Sequence, residues 1–187
     1  MKKRPTGFTL IETLAAVSLL TIAIVAPMSL ASKSLSASYY ARDQVTAYYL
    51  AQEALEAIRA YRDGRILQIV QNPSDPTLDI FGDIPISSSG NEKPFIVDAR
   101  LTDPFSSDPP VCSGTCESLK TNGTIYGYQS GWADTNFTRT VRVTKVGGSN
   151  DELRVTVTVS WSTGAFQTRT FSISENLYRW VKDETSP

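Results

Sequence analysis

The chain has 187 residues, of which 41% are hydrophobic and 20% are charged, and its formal net charge is −1. This length and composition are typical of one globular domain with an extension. The basic side chains form no cluster after Arg4, which argues against nucleic acid as a partner. The sequence contains no histidine, and no set of nucleophile and general base emerges from it. We therefore expect neither an enzyme nor a bound cofactor or metal.

An apolar run near the N-terminus predicts a membrane-spanning helix. A basic leader at residues 2–4 precedes the sequence GFTLIE at residues 7–12, and residues 13–32 carry no charged side chain. A helix over residues 13–32 spans roughly 30 Å, about the hydrocarbon thickness of a bilayer. Pro27 removes a backbone hydrogen bond inside this run and predicts a kink or a local opening. The basic leader favours a cytoplasmic N-terminus, which leaves the rest of the chain outside the cytoplasm.

Beyond the apolar run, the same helix is predicted to continue with one apolar face. Apolar side chains recur there every three or four residues, at Ala41, Val45, Tyr48, Ala51, Leu55 and Ile58. Glu56 with Arg59, and Arg59 with Asp63, have the spacing of surface ion pairs. Gly64 is one candidate end of the helix, and Asn72-Pro73 sets its outer limit.

Residues 73–187 are predicted to form a β-rich head. After a long loop, residues 95–101 alternate apolar and polar side chains, as in a strand with one buried face. Three further alternating runs, at residues 140–144, 153–161 and 171–173, are separated by short turns. Such neighbours form an antiparallel meander whose apolar face covers the helix. We expect the tail to pack at the edge of this sheet through Leu177, Tyr178 and Trp180.

The loops of the head contain two groups of side chains of types that bind metals. Cys112 and Cys116 flank a turn at Gly114, and a local disulfide is the favoured interpretation because no third ligand lies nearby. Asp75, Asp79 and Asp83 recur every fourth residue, as calcium ligands or as solvated surface carboxylates. We favour the solvated interpretation, because their spacing does not match an EF-hand loop and most surface aspartates are solvated.

The segment from Gly7 to Glu12, after a basic leader and before an apolar helix, resembles the N-terminal signal of type IV prepilins and type II secretion pseudopilins. This resemblance implies that a prepilin peptidase removes residues 1–7 as a leader by cutting after Gly7, and then methylates the new amine of Phe8. It also implies that residues 8–32 form the transmembrane segment and later the filament core. Residues 33–72 then form the amphipathic half of the helix.

The chemistry of this segment agrees with such a role. Glycine before the cut bond leaves a peptidase room to reach the backbone. The new ammonium group at Phe8 and the carboxylate of Glu12 are each unfavourable in lipid, and pairing them removes most of that cost. The amine can come from a neighbouring subunit that is shifted along the axis, or from the same chain one turn away. We expect Glu12 to set the register of assembly.

The resemblance implies an α+β fold of pilin-like layout, in which a long N-terminal helix, transmembrane and then amphipathic, packs on a small antiparallel β-sheet head. Residues 49–56 and the run from 154 to the tail are similar to minor pilins and minor pseudopilins. The implied function is a structural subunit of a type IV pilus-like filament, a minor pilin. The alternatives are a minor pseudopilin of a type II secretion system and, from another class, a membrane-anchored adhesive or binding domain.

The implied partners and location follow from the same resemblance. The partners are other pilin or pseudopilin subunits, prepilin peptidase, an inner-membrane assembly platform and the lipid bilayer. The chain would first be a single-pass protein of the inner membrane with its head outside the cytoplasm. It would then enter a filament in the periplasm or outside the cell.

Two other interpretations of the N-terminus are open. The first is an ordinary secretory signal with a small-residue cleavage site near Ser29-Leu30-Ala31. Against it, the charge-free run is long, Glu12 interrupts its start, and the helical period continues beyond it. The second is an uncleaved single-pass anchor. The three interpretations predict mature chains that start at Phe8, near Ser32 and at Met1.

Overall fold

The computed structural model describes residues 7, 9–75, 77–87, 93–101, 104–105, 111–149, 151–163 and 167–180. The predicted α+β class is confirmed, because these residues form one long N-terminal helix and a five-stranded antiparallel sheet. The elements are α1 (Leu10–Gln71), β1 (Ser118–Thr121), β2 (Tyr126–Gly127), β3 (Ala133–Lys145), β4 (Glu152–Thr163) and β5 (Gln167–Tyr178). The chain divides into two compact units, Met1–Arg42 and Asp43–Pro187.

The first unit contains the N-terminal part of α1, and every side chain from residue 9 to residue 42 is exposed. Thr9 caps the helix: its hydroxyl accepts a hydrogen bond from the Glu12 backbone N–H at 3.3 Å. The Thr9 carbonyl accepts bonds from the backbone N–H groups of Glu12 and Thr13, both at 3.1 Å. In the described part of the chain, α1 is the one helix long and apolar enough to cross a membrane.

The polar side chains inside this apolar part bond to their own helix. The hydroxyls of Ser18 and Thr21 donate to the carbonyls of Ala15 and Ser18, both at 2.8 Å. Pro27 lies inside the helix, which is continuous on both sides of it. The kink or local opening expected at Pro27 stays a prediction.

In the second unit, the C-terminal part of α1 buries one face against the sheet, as expected. Ala51, Leu55 and Ile58 are buried as predicted, but Val45 and Tyr48 are 54% and 42% exposed. Other members of the buried stripe are Ala47, Leu50 and Ala54. The buried face differs from the predicted one because apolar residues occur on more than one side of this part of the helix.

The helix ends at Gln71, so an end at Gly64 is wrong and the outer limit at Asn72 is correct. Ile66 and Ile69 are both 6% exposed, and their burial extends the helix beyond the glycine. At the end, the backbone N–H of Asn72 donates to the Gln68 carbonyl at 2.9 Å. Pro73 follows, where a further helical hydrogen bond is not possible.

Of the two predicted helix ion pairs, Glu56 with Arg59 is present and Arg59 with Asp63 is wrong. Arg59 turns toward the sheet and pairs with Glu175 on β5, with a 2.8 Å bond from Nε. Asp63 pairs with its neighbour Arg62 at 2.8 Å. Arg59 therefore connects the helix to the sheet, which a pattern within the helix does not indicate.

The sheet has the strand order β2-β1-β3-β4-β5, and β3, β4 and β5 form the predicted meander. Val141 of β3 pairs with Val157 of β4, which pairs with Ile173 of β5. The turn between β3 and β4 contains Gly147 and Gly148 at φ of 60° and 78°, a conformation that glycine adopts without strain. The predicted apolar face of β4, Leu153 to Trp161, is buried. It packs in one core with the helix.

Residues 95–101 do not form the predicted strand. Phe95 makes isolated bridges to Val111 and Val141, and Ile96 and Val97 are both buried, so the alternation of burial fails. The chain then turns, because the Asp98 carboxylate accepts the Arg100 backbone N–H at 3.2 Å and binds its guanidinium. This local pairing competes with the continuation of a strand.

The tail packs at the sheet as predicted only at Leu177, which lies in the edge strand β5 and is 1% exposed. Tyr178 and Trp180 are 53% and 69% exposed, so the prediction is wrong for these two aromatic rings. Side chains alternate along a strand. Leu177 and Tyr178, the last two residues of β5, therefore lie on opposite faces of the sheet.

Candidate processing and assembly site

The predicted processing residues stand just before α1. Gly7 lies outside any helix or strand, is exposed, and has open space where a Cβ would be. Phe8 lies outside the described residues. Because the helix begins at Leu10, the bond after Gly7 precedes the first helical residue by three positions. The carbonyl side of this bond therefore lies outside the helix.

Glu12 lies in the first turn of α1 and is exposed. A carboxylate at this end of a helix interacts favourably with the partial positive charge of the free backbone N–H groups. Among the residues that the structure describes, none pairs with the Glu12 carboxylate. The pairing of Glu12 with an amine of a neighbouring subunit stays a prediction.

Sequence reasoning missed a second role for Glu12. Thr9 and Glu12 have the Thr-x-x-Glu spacing of a capping box, in which the threonine hydroxyl accepts the backbone N–H of the glutamate. The structure contains this bond, at 3.3 Å. The spacing was present in the sequence and predicts the start of the helix at Leu10. Glu12 thus belongs both to the cap and to the predicted assembly pair.

The apolar residues that follow are exposed on all sides of the helix. Their exposed fractions lie between 54% and 85%, at Leu10, Ile11, Leu14, Val17, Leu19, Leu20, Ile22, Ile24, Val25, Met28, Leu30 and Leu35. A helix that is apolar all round is stable only where it is surrounded by lipid or by other apolar helices. This surface requires an environment that the chain itself does not supply.

The cysteines of the head form a disulfide between Cys112 and Cys116, with an S–S distance of 2.06 Å. The bond closes a short loop just before β1. At the start of this loop, the Cys112 backbone N–H donates to the Pro94 carbonyl at 2.8 Å. The disulfide therefore fixes the loop beside the segment that contains Phe95.

The structure does not gather Asp75, Asp79 and Asp83 into one site. Asp75 binds the hydroxyl and backbone N–H of Thr77, whose hydrogen bonds lower the pKa of this carboxyl. Asp79 pairs with Arg179 at 3.0 Å, and Asp83 accepts the Tyr61 hydroxyl at 3.3 Å. In the described part of the chain, no group of three or more candidate metal ligands occurs.

A buried arginine on the sheet was also missed by the sequence analysis. Arg139 of β3 is 1% exposed and lies in the apolar register of its strand, between Phe137 and Val141. It donates to the Leu50 carbonyl at 3.0 Å, to the Glu53 carboxylate at 2.8 Å and to the Val97 carbonyl at 2.7 Å. A charged residue at an apolar position of an alternating strand is the sequence signal that predicts such a contact.

Two neighbours of Arg139 have shifted pKa values. Burial would raise the pKa of Asp98, but the hydrogen bonds and charge of Arg100, with the charge of Arg139, outweigh it and lower that pKa. Burial raises the pKa of Tyr128, and the Arg139 charge opposes the rise. Arg139 thus organises a polar cluster where the helix, the 94–101 segment and the sheet meet.

We compared the chain with protein-family models, with curated proteins and with solved structures, and no match was found in any of the three comparisons.

Proposed function

We propose that this chain is a structural subunit of a type IV pilus-like filament, a minor pilin that is cut after Gly7 and N-methylated on Phe8. One observation carries the proposal: the GFTLIE sequence stands at the start of a helix whose first part, residues 10–42, is exposed throughout. Most of that surface is apolar over residues 10–32. A helix of this kind needs lipid before assembly and other helices after it.

Before assembly, the apolar part of α1 is held in the inner membrane. The basic leader keeps the N-terminus in the cytoplasm, and the head lies outside it. Prepilin peptidase then acts on the bond after Gly7, which lies outside the helix. The assembly platform, the lipid bilayer and other pilin subunits are the remaining partners of this proposal.

During assembly, helices of neighbouring subunits replace the lipid. The ammonium group that cleavage creates at Phe8 of one subunit pairs with Glu12 of the next. Each of these charges is costly alone in an apolar environment, so the pair favours one axial register and disfavours slipped ones. The head, including the disulfide loop, is displayed on the outside of the filament.

The mature N-terminus tests the processing step. We would extract the chain from membranes of its native cells and determine its N-terminal peptide by mass spectrometry. The expected peptide starts at Phe8 and carries one methyl group on its amine. A start near Ser32 supports a secretory signal, and a start at Met1 supports an uncleaved anchor; either result would refute the proposal.

A glycine variant and a matched neighbour make this test specific. Gly7→Val adds a branched side chain beside the cut bond and should leave the leader attached. Thr6→Val changes a side chain of similar size one position earlier and should be cut normally. The filament fraction sheared from the cells is then probed for the chain, and we expect to find it with wild type and Thr6→Val only.

A further inference from the structure

The turn of the β1–β2 hairpin contains the sequence Asn122-Gly123-Thr124. This triplet fits the acceptor pattern for N-linked glycans, which is asparagine, any residue except proline, and then serine or threonine. The sequence has a second triplet of this pattern, Asn136-Phe137-Thr138 in β3, whereas Asn72-Pro73-Ser74 is excluded by its proline. The fold gives the asparagines of the two fitting triplets different surroundings.

The Asn122 side chain is exposed, and its amide is held through the oxygen. Oδ1 accepts the backbone N–H groups of Thr124 and Ile125, both at 3.0 Å. Because both partners are backbone donors, the amide atom that faces them is the oxygen, and the other atom is Nδ2. Among the residues that the structure describes, none forms a hydrogen bond with this Nδ2. The atom to which an N-linked glycan is attached is therefore available.

The rest of the triplet is also outside the sheet. Residues 122–125 connect β1 to β2 and belong to neither strand. Gly123 has a φ of 94° and open space where a Cβ would be, and Thr124 is exposed. Within the described part of the chain, the Thr124 hydroxyl has no hydrogen-bond partner. An enzyme can therefore bind these three residues while the sheet stays intact.

The surroundings of Asn136 are the opposite in each respect. Its Nδ2 donates to the Ser162 carbonyl at 3.1 Å, so the amide nitrogen is already engaged. The next residue, Phe137, is 5% exposed in the core, and Thr138 is paired in register with Ser160 of β4. An enzyme can reach this triplet only when β3 separates from β4, which is a local unfolding event.

We propose that Asn122 is the acceptor of an N-linked glycan and that the fold excludes Asn136 from this role. The donor is a glycan linked to a lipid diphosphate, and the catalyst is a membrane oligosaccharyltransferase. A bond forms between Nδ2 and the anomeric carbon of the first sugar, and the bond from that carbon to the phosphate oxygen breaks. The lipid diphosphate leaves with the electron pair, and the amide passes one proton to a base of the enzyme.

The modified side chain keeps its place in the turn. Only Nδ2 is substituted, so Oδ1 retains both bonds from the backbone. This inference rests on the proposed function, which exports the head to the side of the membrane where such transfer takes place. The glycan would then be displayed on the outer surface of the head.

Mass spectrometry of the chain from its native cells tests the modification. Trypsin leaves both asparagines in one peptide, residues 121–139, so chymotrypsin is added to cut after Tyr126 and Trp132 and separate them. We expect a glycan on Asn122, and an occupancy at Asn136 that is lower by roughly tenfold or more, because Asn136 requires the opening of β3. An unmodified Asn122, or a glycan on Asn136 at equal occupancy, would overturn the inference.

A matched pair of variants at Thr124 identifies the acceptor triplet without touching the asparagine. Thr124→Ser keeps a hydroxyl and should keep the glycan, whereas Thr124→Val has a similar shape without the hydroxyl and should lose it. Both keep the backbone N–H that holds Oδ1. Asn136→Gln is the control at the second triplet and should leave the mass of the glycan unchanged. A glycan that persists in Thr124→Val contradicts the assignment.

The N-terminal peptide of the same preparation separates this inference from the proposed function. A chain that starts at methylated Phe8 and has an unmodified Asn122 overturns the inference and leaves the proposed function intact. A chain that starts near Ser32 or at Met1 refutes the proposed function, and the state of Asn122 is then judged by the same peptides.

Discussion

The two parts of α1 are one continuous helix with opposite surroundings. Between residues 9 and 42 no side chain is buried, whereas ten side chains between residues 43 and 71 are buried. The first part bonds its polar groups to itself and leaves its apolar surface exposed. The second part has salt bridges, an arginine contact and a shared core with the sheet. Apolar residues of one helix therefore form either an exposed surface or part of a core. The partners of the polar side chains in each part distinguish the two cases.

The largest expected effect on the stability of the second unit comes from Glu53→Ala. It removes the carboxylate that pairs with Arg139 and leaves a guanidinium that is 1% exposed without a charged partner. We expect a loss of about 4 kcal/mol in the free energy of unfolding. Urea unfolding of the full chain in a mild detergent, followed by tryptophan fluorescence, measures it. Glu56→Ala is the matched control, because Glu56 is 65% exposed and should change stability by less than about 0.5 kcal/mol.

An isoleucine-to-alanine substitution in each part of the helix tests whether the two parts contribute differently to the free energy of unfolding. Ile58 is fully buried and Ile22 is 66% exposed. Ile58→Ala leaves a cavity and should cost about 3 kcal/mol in the same urea experiment. Ile22→Ala should leave that transition unchanged, because an exposed side chain leaves no cavity when it is shortened. Equal effects of the two substitutions would contradict the different roles assigned to the two parts.

Acid should act on the second unit through Asp98. The pKa of this carboxyl is lowered below its ordinary value of 3.8 in the folded chain, so its ion pair with Arg100 stabilises the fold at neutral pH. That contribution is lost as the pH falls below about 4, through the folded pKa. Asp98→Asn should therefore lower stability by about 1 kcal/mol at pH 7, and this difference should shrink as the pH falls below about 4. Urea unfolding of the wild-type chain and of the variant, measured at decreasing pH, shows whether their difference in stability shrinks. A difference that stays constant with pH would be evidence against this role of Asp98.

The smallest effect on the second unit is expected from substitutions of Glu12, which should change assembly and leave urea unfolding unchanged. Glu12→Gln keeps a side chain that suits the capping box but removes the charge, whereas Glu12→Ala removes both. If Glu12 pairs with the amine of a neighbour, both variants are still cut after Gly7 and both are depleted from filaments. Assembly of Glu12→Gln at the wild-type level would instead indicate that capping is the role of this residue.

Much of this fold could be predicted from alternation in the sequence, and the exceptions have physical causes. The run from Leu153 to Trp161 alternates without interruption, so β4 and its buried face were evident. Strand β1 has only Leu119 as an apolar residue among four, and it was missed. Residues 95–101 also alternate apart from Ile96, yet the pairing of Asp98 with Arg100 turns the chain there. A local hydrogen bond can thus prevent the strand that a periodic pattern predicts.

Some of the candidate site residues could likewise be proposed from the sequence, and others depend on the fold. Gly7, Phe8 and Glu12 were identified from a short motif, which requires no knowledge of packing. The groove between α1 and the β1–β2 hairpin could not be predicted. Its lining residues Tyr49 and Ile125 are brought together only by the fold of the helix and the hairpin. The role of Arg139 depends on a contact across 86 residues with Glu53, although its position in an apolar strand register gave a signal.

The disulfide between Cys112 and Cys116 has a further consequence for the life history of the chain. Thiols of this kind stay reduced in the cytosol and form disulfides in oxidising compartments, so under the proposed function the bond would form only after the head leaves the cytoplasm. Because these are the two cysteines of the chain, alkylation of intact cells followed by mass measurement would then distinguish subunits before export from subunits after it. The redox state of this small loop would thus report the compartment of each subunit.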